Sequence, residues 1–229
     1  MARMLEENSL AVTLRHVEEA RLQGVCATHR DVREALDWMV GRYGKAGSPR
    51  ATLFAPTEAD LHDAKALLTA EYCFGGGHSA YAVAFETVRA LILWGCTYDW
   101  PVEEALAGIR EKWRAHAPRI GYYCCPPCSV SRWRALSAGQ PAGWEDAVAE
   151  GLRRLASTPL LEDGQWGGKA VARYPFCYTL LALSDLPMEE AETECRRVRP
   201  AAEALLQGLH GDDPATHFRR RALEWAIAK

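Results

Sequence analysis

The stretch GYYCCPPCSVSRW, residues 121–133, holds three cysteines close together: Cys124, Cys125 and Cys128. The C-x-x-C spacing of Cys125 and Cys128 is typical of a pair of metal ligands or of a redox-active dithiol. Two prolines come before SVSRWRAL, so a helix is expected to begin here with Cys128 near its N-terminus, where the helix dipole favours a thiolate. Cys124 adjoins Cys125 and does not readily share one metal with Cys128. At least one of the three cysteines is therefore expected to take no part in a common site.

A metal site at Cys125 and Cys128 needs further ligands, and the sequence offers three candidates. Cys73 and His78 lie in the stretch EYCFGGGHSAY, and Cys177 lies further along the chain in YPFCYTLL. Zinc favours a tetrahedral set such as three thiolates and one imidazole, whereas an iron–sulfur cluster requires four thiolates. The sequence therefore predicts zinc as the cofactor if a ligand set from Cys73, His78, Cys125, Cys128 and Cys177 converges.

Two other interpretations of the cysteines stay open. Cys125 and Cys128 could instead form a helical redox dithiol, although no buried strand precedes them as in thioredoxin-type proteins. Alternatively the thiols are inert, because free cysteine is among the most buried residue types and packs as a small apolar side chain.

Aromatic residues are concentrated in the same stretches as the cysteines. If the helices that follow line a concave surface, these side chains suit an apolar ligand. No Ser/His/Asp arrangement or carboxylate pair with diagnostic context is present, so no reaction is predicted. The residues predicted to contact a small molecule are Tyr72, Phe74, Tyr122, Tyr123, Trp166 and Tyr178.

A helical sequence pattern recurs along the chain, and the helices that it predicts are expected to position these residues. Ala-Leu pairs begin at 35, 90, 135, 182 and 222, and three of them precede a second helical segment with an acidic first turn, as in GWEDAVAEGL. Acidic residues there complement the positive end of the helix dipole. The pattern predicts an all-α fold of αα-hairpin repeats that form an α/α-toroid or a short α-solenoid. A single helical-repeat domain over 1–229 would comprise N-terminal helices in 1–42, a loop at 43–57, and repeated helix pairs in 58–229.

Two of the predicted repeats have a similar glycine-rich segment before their first helix. CFGG at 73–76 is followed by Thr87 and Ala90-Leu91, and QWGG at 165–168 is followed by Thr179 and Ala182-Leu183. The segments 155–186 and 73–94 resemble repeats of the terpenoid cyclase and protein prenyltransferase toroids, which carry a D-G-x-W/F-G-G turn before an inner helix with T-x-x-A-L. The resemblance implies a toroid fold. It does not imply an activity, because the D-x-D-D acid motif of the cyclases and a complete Asp/Cys/His zinc set are not found in this sequence.

The amino-acid composition limits the classes of binding partner that are expected. The chain has 229 residues, 48% of them hydrophobic, with a net charge of −3, which argues against nucleic acid as the partner. The sequence has no secretory signal and no 18-residue apolar run, so a cytoplasmic protein without a membrane span is expected. The partner is then a small-molecule ligand or, if the chain is a non-catalytic interaction scaffold with structural cysteines, another protein; the oligomeric state is not predicted.

Overall fold

The structure is a computed structural model that describes residues 4–73, 76–97, 99–109, 125–168 and 173–229. Within these residues the only β-structure is two isolated bridges, one of them joining Tyr43 to Phe54, so the predicted all-α class is confirmed. The helices are α1 (Leu10–Leu22), α2 (Arg30–Val40), α3 (Glu58–His62), α4 (Gly76–Leu93), α5 (100–109, to the limit of the described segment), α6 (Pro126–Gly139), α7 (Trp144–Ser157), α8 (Phe176–Ser184), α9 (Glu189–Gln207) and α10 (Pro214–Ile227).

Local sequence explains several helix starts. Thr57 and Asp60 form a capping box at the start of α3, as their residue types and spacing indicate, and Asp213 caps α10 ahead of a proline at the first helical position. Asp60 also accepts hydrogen bonds from the backbone N–H groups of Leu10 (2.9 Å) and Ala11 (3.1 Å) at the start of α1. One buried carboxylate thus satisfies orphan donors of two helices that lie far apart in sequence.

Helices α4, α6 and α8 lie side by side and run in the same direction. His78 and Cys128 meet at the N-terminal ends of α4 and α6, and the Ser137 hydroxyl near the end of α6 donates 2.8 Å to the carbonyl of Asp185 that ends α8. Each of the helices α4, α6, α8, α10 and α1 contacts the next in this order, and α1 contacts α4 again. Helix α7 contacts α6 and α9. A parallel set of this kind brings the N-terminal ends of α4, α6 and α8 to one side. The repeat and toroid arrangement itself stays a prediction.

A buried ionic network ties these helices together. Arg89 of α4 is 4% exposed and donates to Glu18 of α1 at 2.8 Å and to Asp185 at 3.2 Å. Arg134 of α6 is 1% exposed, and its Nε donates 2.6 Å to Glu86 of α4. The same guanidinium lies 2.9 Å from Asp185. Four helices or their ends are therefore held by Arg89, Arg134 and three carboxylates, and Arg21 supplies a third positive charge by pairing with Glu18 at 3.2 Å.

Acid is expected to destabilise the fold through Glu18 in this network. Burial alone would raise the pKa of Glu18, but the ion pairs with Arg89 and Arg21 outweigh burial and lower this pKa to about 2. A lowered pKa in the folded state gives stability that is present above pH 4.5 and is lost as pH falls towards 2. The contribution is on the order of 3 kcal/mol.

Urea unfolding between pH 7 and pH 2 measures this effect. The difference in unfolding free energy between the protein and Glu18→Gln is expected to shrink steadily below pH 4.5. A difference that stays constant down to pH 2 would show that Glu18 is not held in the charged form by the arginines.

Helices α6 and α7 pack so closely that a glycine is required between them. A Cβ atom on Gly151 of α7 would lie 2.3 Å from the indole Nε1 of Trp133, which is only 3% exposed. Gly151→Ala is expected to lower the unfolding free energy by about 1–3 kcal/mol, although alanine alone favours a helix. Gly77→Ala, in α4 with no atom near the added methyl, is the control and is expected not to destabilise the protein in urea unfolding.

Candidate metal centre

The starts of α4 and α6 bring three metal-ligand residue types together. His78 is in the first turn of α4, Cys125 is the N-cap of α6, and Cys128 is in the first turn of α6. The helix begins here because Pro126 and Pro127 occupy its first positions, where their missing N–H groups are not needed, while Cys125 is extended at φ −158°. This agrees with the sequence-based prediction that Cys128 lies near a helix N-terminus.

The donor atoms of His78, Cys125 and Cys128 all lie within 4.8 Å of one another. Cys128 Sγ is 4.0 Å from His78 Nδ1, and it also donates 3.4 Å to the backbone carbonyl of His78. Tetrahedral zinc with its usual bond lengths places neighbouring ligand atoms about 3.5–3.8 Å apart. The observed group therefore needs only a small inward shift to hold an ion.

Burial and local dipoles suit thiolate ligands at this place. Cys128 is fully buried, Cys125 is 9% exposed, and His78 is partly exposed. The N-terminal ends of α4 and α6 both point their backbone N–H groups towards this region, which favours negatively charged sulfur. Two thiolates and a neutral imidazole around a divalent cation give no net charge, so burial of the complete centre carries little electrostatic penalty.

The other two predicted ligands lie outside this group. Cys73 is buried just before α4, where its backbone N–H donates 2.7 Å to the carbonyl of Ala64. Cys177 is in the first turn of α8, where burial and the neighbouring Glu71 raise the pKa of its thiol. A neutral thiol is a poor metal ligand. The ligand role of Cys73 and Cys177 stays a prediction, and Cys124 lies outside the described residues.

The predicted ligand-contacting aromatics differ in their environment. Trp166 is fully buried, and its indole N–H donates 3.0 Å to Glu194. Tyr178 is also buried and donates its hydroxyl to Glu86 in the ionic network. Tyr72 is 60% exposed, while Phe74, Tyr122 and Tyr123 lie outside the described residues. Of the three described residues, only Tyr72 presents much of its surface to a ligand.

Sequence reasoning missed Glu71, which is partly buried beside α8. Its carboxylate accepts the backbone N–H groups of Cys177 (3.0 Å) and Tyr178 (2.7 Å) and the Thr69 hydroxyl (2.8 Å). It caps α8 because the residue at the N-cap position, Pro175, has no side-chain acceptor. Burial raises the pKa of Glu71 in spite of these bonds. No local signal marks this cap, since over a hundred residues separate Glu71 from the helix that it caps.

None of the helices in the described part of the chain is long and apolar enough to cross a membrane. Comparison with protein-family models gives no match, and a search of curated proteins gives none either.

Proposed function

We propose that this protein binds a zinc ion through His78, Cys125 and Cys128. The observation that carries the proposal is the placement of one imidazole and two thiols within 4.8 Å of one another across two helices. The residues come from segments about 50 positions apart, so local sequence does not force them together. Packing of α4 against α6 produces the group, and a bound ion would in turn fix the register of the two helix starts.

The donor set favours zinc over other ions. Thiolate and imidazole ligands select zinc or copper(I), whereas magnesium and calcium prefer oxygen. A cubane or rhombic iron–sulfur cluster requires four thiolates, and the group contains two. Three protein ligands also leave one position of a tetrahedral ion for a further donor, which is the arrangement of zinc sites that act on a bound molecule.

The proposed function also includes the binding of a small, apolar ligand. The observation that favours it is a cavity of about 420 Å³ that Tyr72 lines, together with Tyr174 and Phe176. A volume of this size is in the range of small-molecule sites. A second candidate function is a thiol redox protein, which the closeness of the Cys125 and Cys128 sulfurs favours.

Elemental analysis of freshly purified, untagged protein tests the metal centre. About one equivalent of zinc is expected, and replacement by cobalt(II) is expected to give sulfur-to-metal charge-transfer bands and the visible bands of a tetrahedral ion. Failure of the reduced protein to bind zinc or cobalt after reconstitution would overturn the proposal. If the same sample shows a reversible Cys125–Cys128 disulfide in peptide mass spectra and no metal, the redox function replaces it.

A further inference from the structure

We propose that the cavity beside the start of α8 binds an uncharged small molecule that contains an aromatic or aliphatic ring. This inference rests on the ligand-binding part of the proposed function and specifies where and what the protein binds. The cavity lies between the chain just before α4 and the segment that leads into α8. Its apolar lining is Tyr72, Tyr174, Pro175 and Phe176, and Glu71, Gln165 and Arg173 form a polar edge.

The aromatic residues that form the cavity wall pack against other aromatic side chains in the protein interior. Tyr174 is 1% exposed and stacks on Trp133 with 6.4 Å between ring centroids. Phe176 is similarly buried and lies against Trp166 at 5.3 Å. The indole of Trp166 is itself hydrogen-bonded to Glu194, which fixes the support of Phe176, and the stacking on Trp133 holds Tyr174. A preformed cavity lowers the ordering cost of binding.

Tyr72 supplies the surface that a ligand would cover. It is 60% exposed, although large aromatic side chains are usually buried or at interfaces, and it lies at the mouth of a cavity with aromatic walls. A ring placed against Tyr72 would remove the exposed apolar area of this side chain from water. Flat ring systems gain most from this geometry, because aromatic contacts are directional as well as apolar.

The polar groups at the cavity are already hydrogen-bonded within the protein. The Glu71 carboxylate accepts hydrogen bonds from the start of α8 and from Thr69. Arg173 donates to Asp163 and to Gln165, each at 2.6 Å. An anionic ligand would face the Glu71 carboxylate, and a cationic ligand would face the Arg173 guanidinium. A lining with one group of each sign therefore favours an uncharged ligand, with the Gln165 amide as its polar contact.

Fluorescence titration with the uncharged naphthalene dye prodan tests the proposal. The wild-type protein is expected to bind prodan saturably, at about one site per chain, with the blue-shifted emission of an apolar environment. Tyr72→Ala is expected to weaken binding about tenfold or more, and Gln165→Trp, which adds bulk at the cavity edge, is expected to abolish it. Trp100→Ala is the matched control, since Trp100 is 63% exposed but does not line the cavity, and it is expected to bind as wild type does.

Non-saturable binding, or equal losses in Tyr72→Ala and Trp100→Ala, would overturn the proposal and show that prodan only adheres to exposed aromatics. Circular dichroism of each variant excludes unfolding as the cause of a loss. Zinc content is measured in the same samples, because no residue of the cavity belongs to the metal group. Prodan binding without zinc would reject the metal centre alone, and zinc without prodan binding would reject the cavity alone.

Discussion

Replacing Arg134 with methionine is expected to lower the free energy of unfolding by about 3–5 kcal/mol, because it leaves a buried carboxylate without its main partner. Glu86 is 3% exposed and receives the Arg134 Nε at 2.6 Å, while its other oxygen is 3.9 Å from Arg89. Methionine is unbranched and has little polarity, so the change removes the charge and keeps most of the volume. Urea unfolding followed by circular dichroism measures the loss.

Two further variants show whether the loss arises from the buried charge. Arg199→Met breaks an exposed ion pair with Glu203, of 2.9 Å, and is expected to change the unfolding free energy by about 0.5 kcal/mol or less. Adding Glu86→Met to Arg134→Met removes both charges and is expected to recover part of the stability, limited by the Tyr178 hydroxyl that loses its acceptor. If Arg134→Met alone proves as mild as Arg199→Met, the network does not hold α4 and α6 together.

The helices could be predicted from sequence because their signals are local. The capping box at Thr57 and Asp60, the proline at the start of α10 and the acidic first turns of α7 and α9 all lie within a few residues of the feature that they predict. The length of α3 could not be predicted in the same way. The apolar pattern of LHDAKALL continues beyond it, but α3 ends at His62, and Asp63 is extended.

The interior contacts could not be predicted because they join residues that are distant in sequence. Glu86 and Arg89 have the residue types of a solvent-exposed helix face, and only the packing of α1, α6 and α8 around α4 buries them. The same holds for Glu71 at the start of α8. The candidate metal group was partly predictable, since parallel neighbouring helices bring equivalent loops together. Which of the five predicted ligands meet depends on register: His78 and Cys128 are both in first turns of packed helices, whereas Cys177 is turned towards Glu71.

Cys128→Ser is expected to weaken zinc binding by more than about 100-fold, since even the loss of a group that only orients a ligand costs about 10–100-fold. Serine keeps the size of the side chain but does not supply a thiolate at neutral pH. Cys125→Ser and His78→Gln are expected to behave similarly, because each removes one member of the three-residue group. Competition with a chromophoric chelator measures the affinity of each variant.

Cys73→Ser and Cys177→Ser are the matched controls, because both cysteines are buried and both lie outside the three-residue group. They are expected to bind zinc about as tightly as the wild-type protein. A loss of affinity in either variant as large as that in Cys128→Ser would place that cysteine among the ligands. Retention of wild-type affinity by Cys128→Ser would remove the centre from the starts of α4 and α6.

Measurements of thermal stability distinguish the loss of a metal-ligating residue from damage to the hydrophobic core. An ion that binds only the folded chain adds about 2.7 kcal/mol at a free concentration 100 times its Kd, and a variant without the site gains nothing. Zinc is therefore expected to raise the Tm of the wild-type protein and of Cys177→Ser, and to leave the Tm of Cys128→Ser unchanged. In excess chelator no zinc is bound, so any difference in Tm between the three proteins arises from side-chain packing alone. The ion would bind where α4 and α6 begin, whereas the contacts of Arg89 and Arg134 with Asp185 lie towards the other end of these helices. The metal and the ionic network would therefore stabilise opposite ends of the same helix pair.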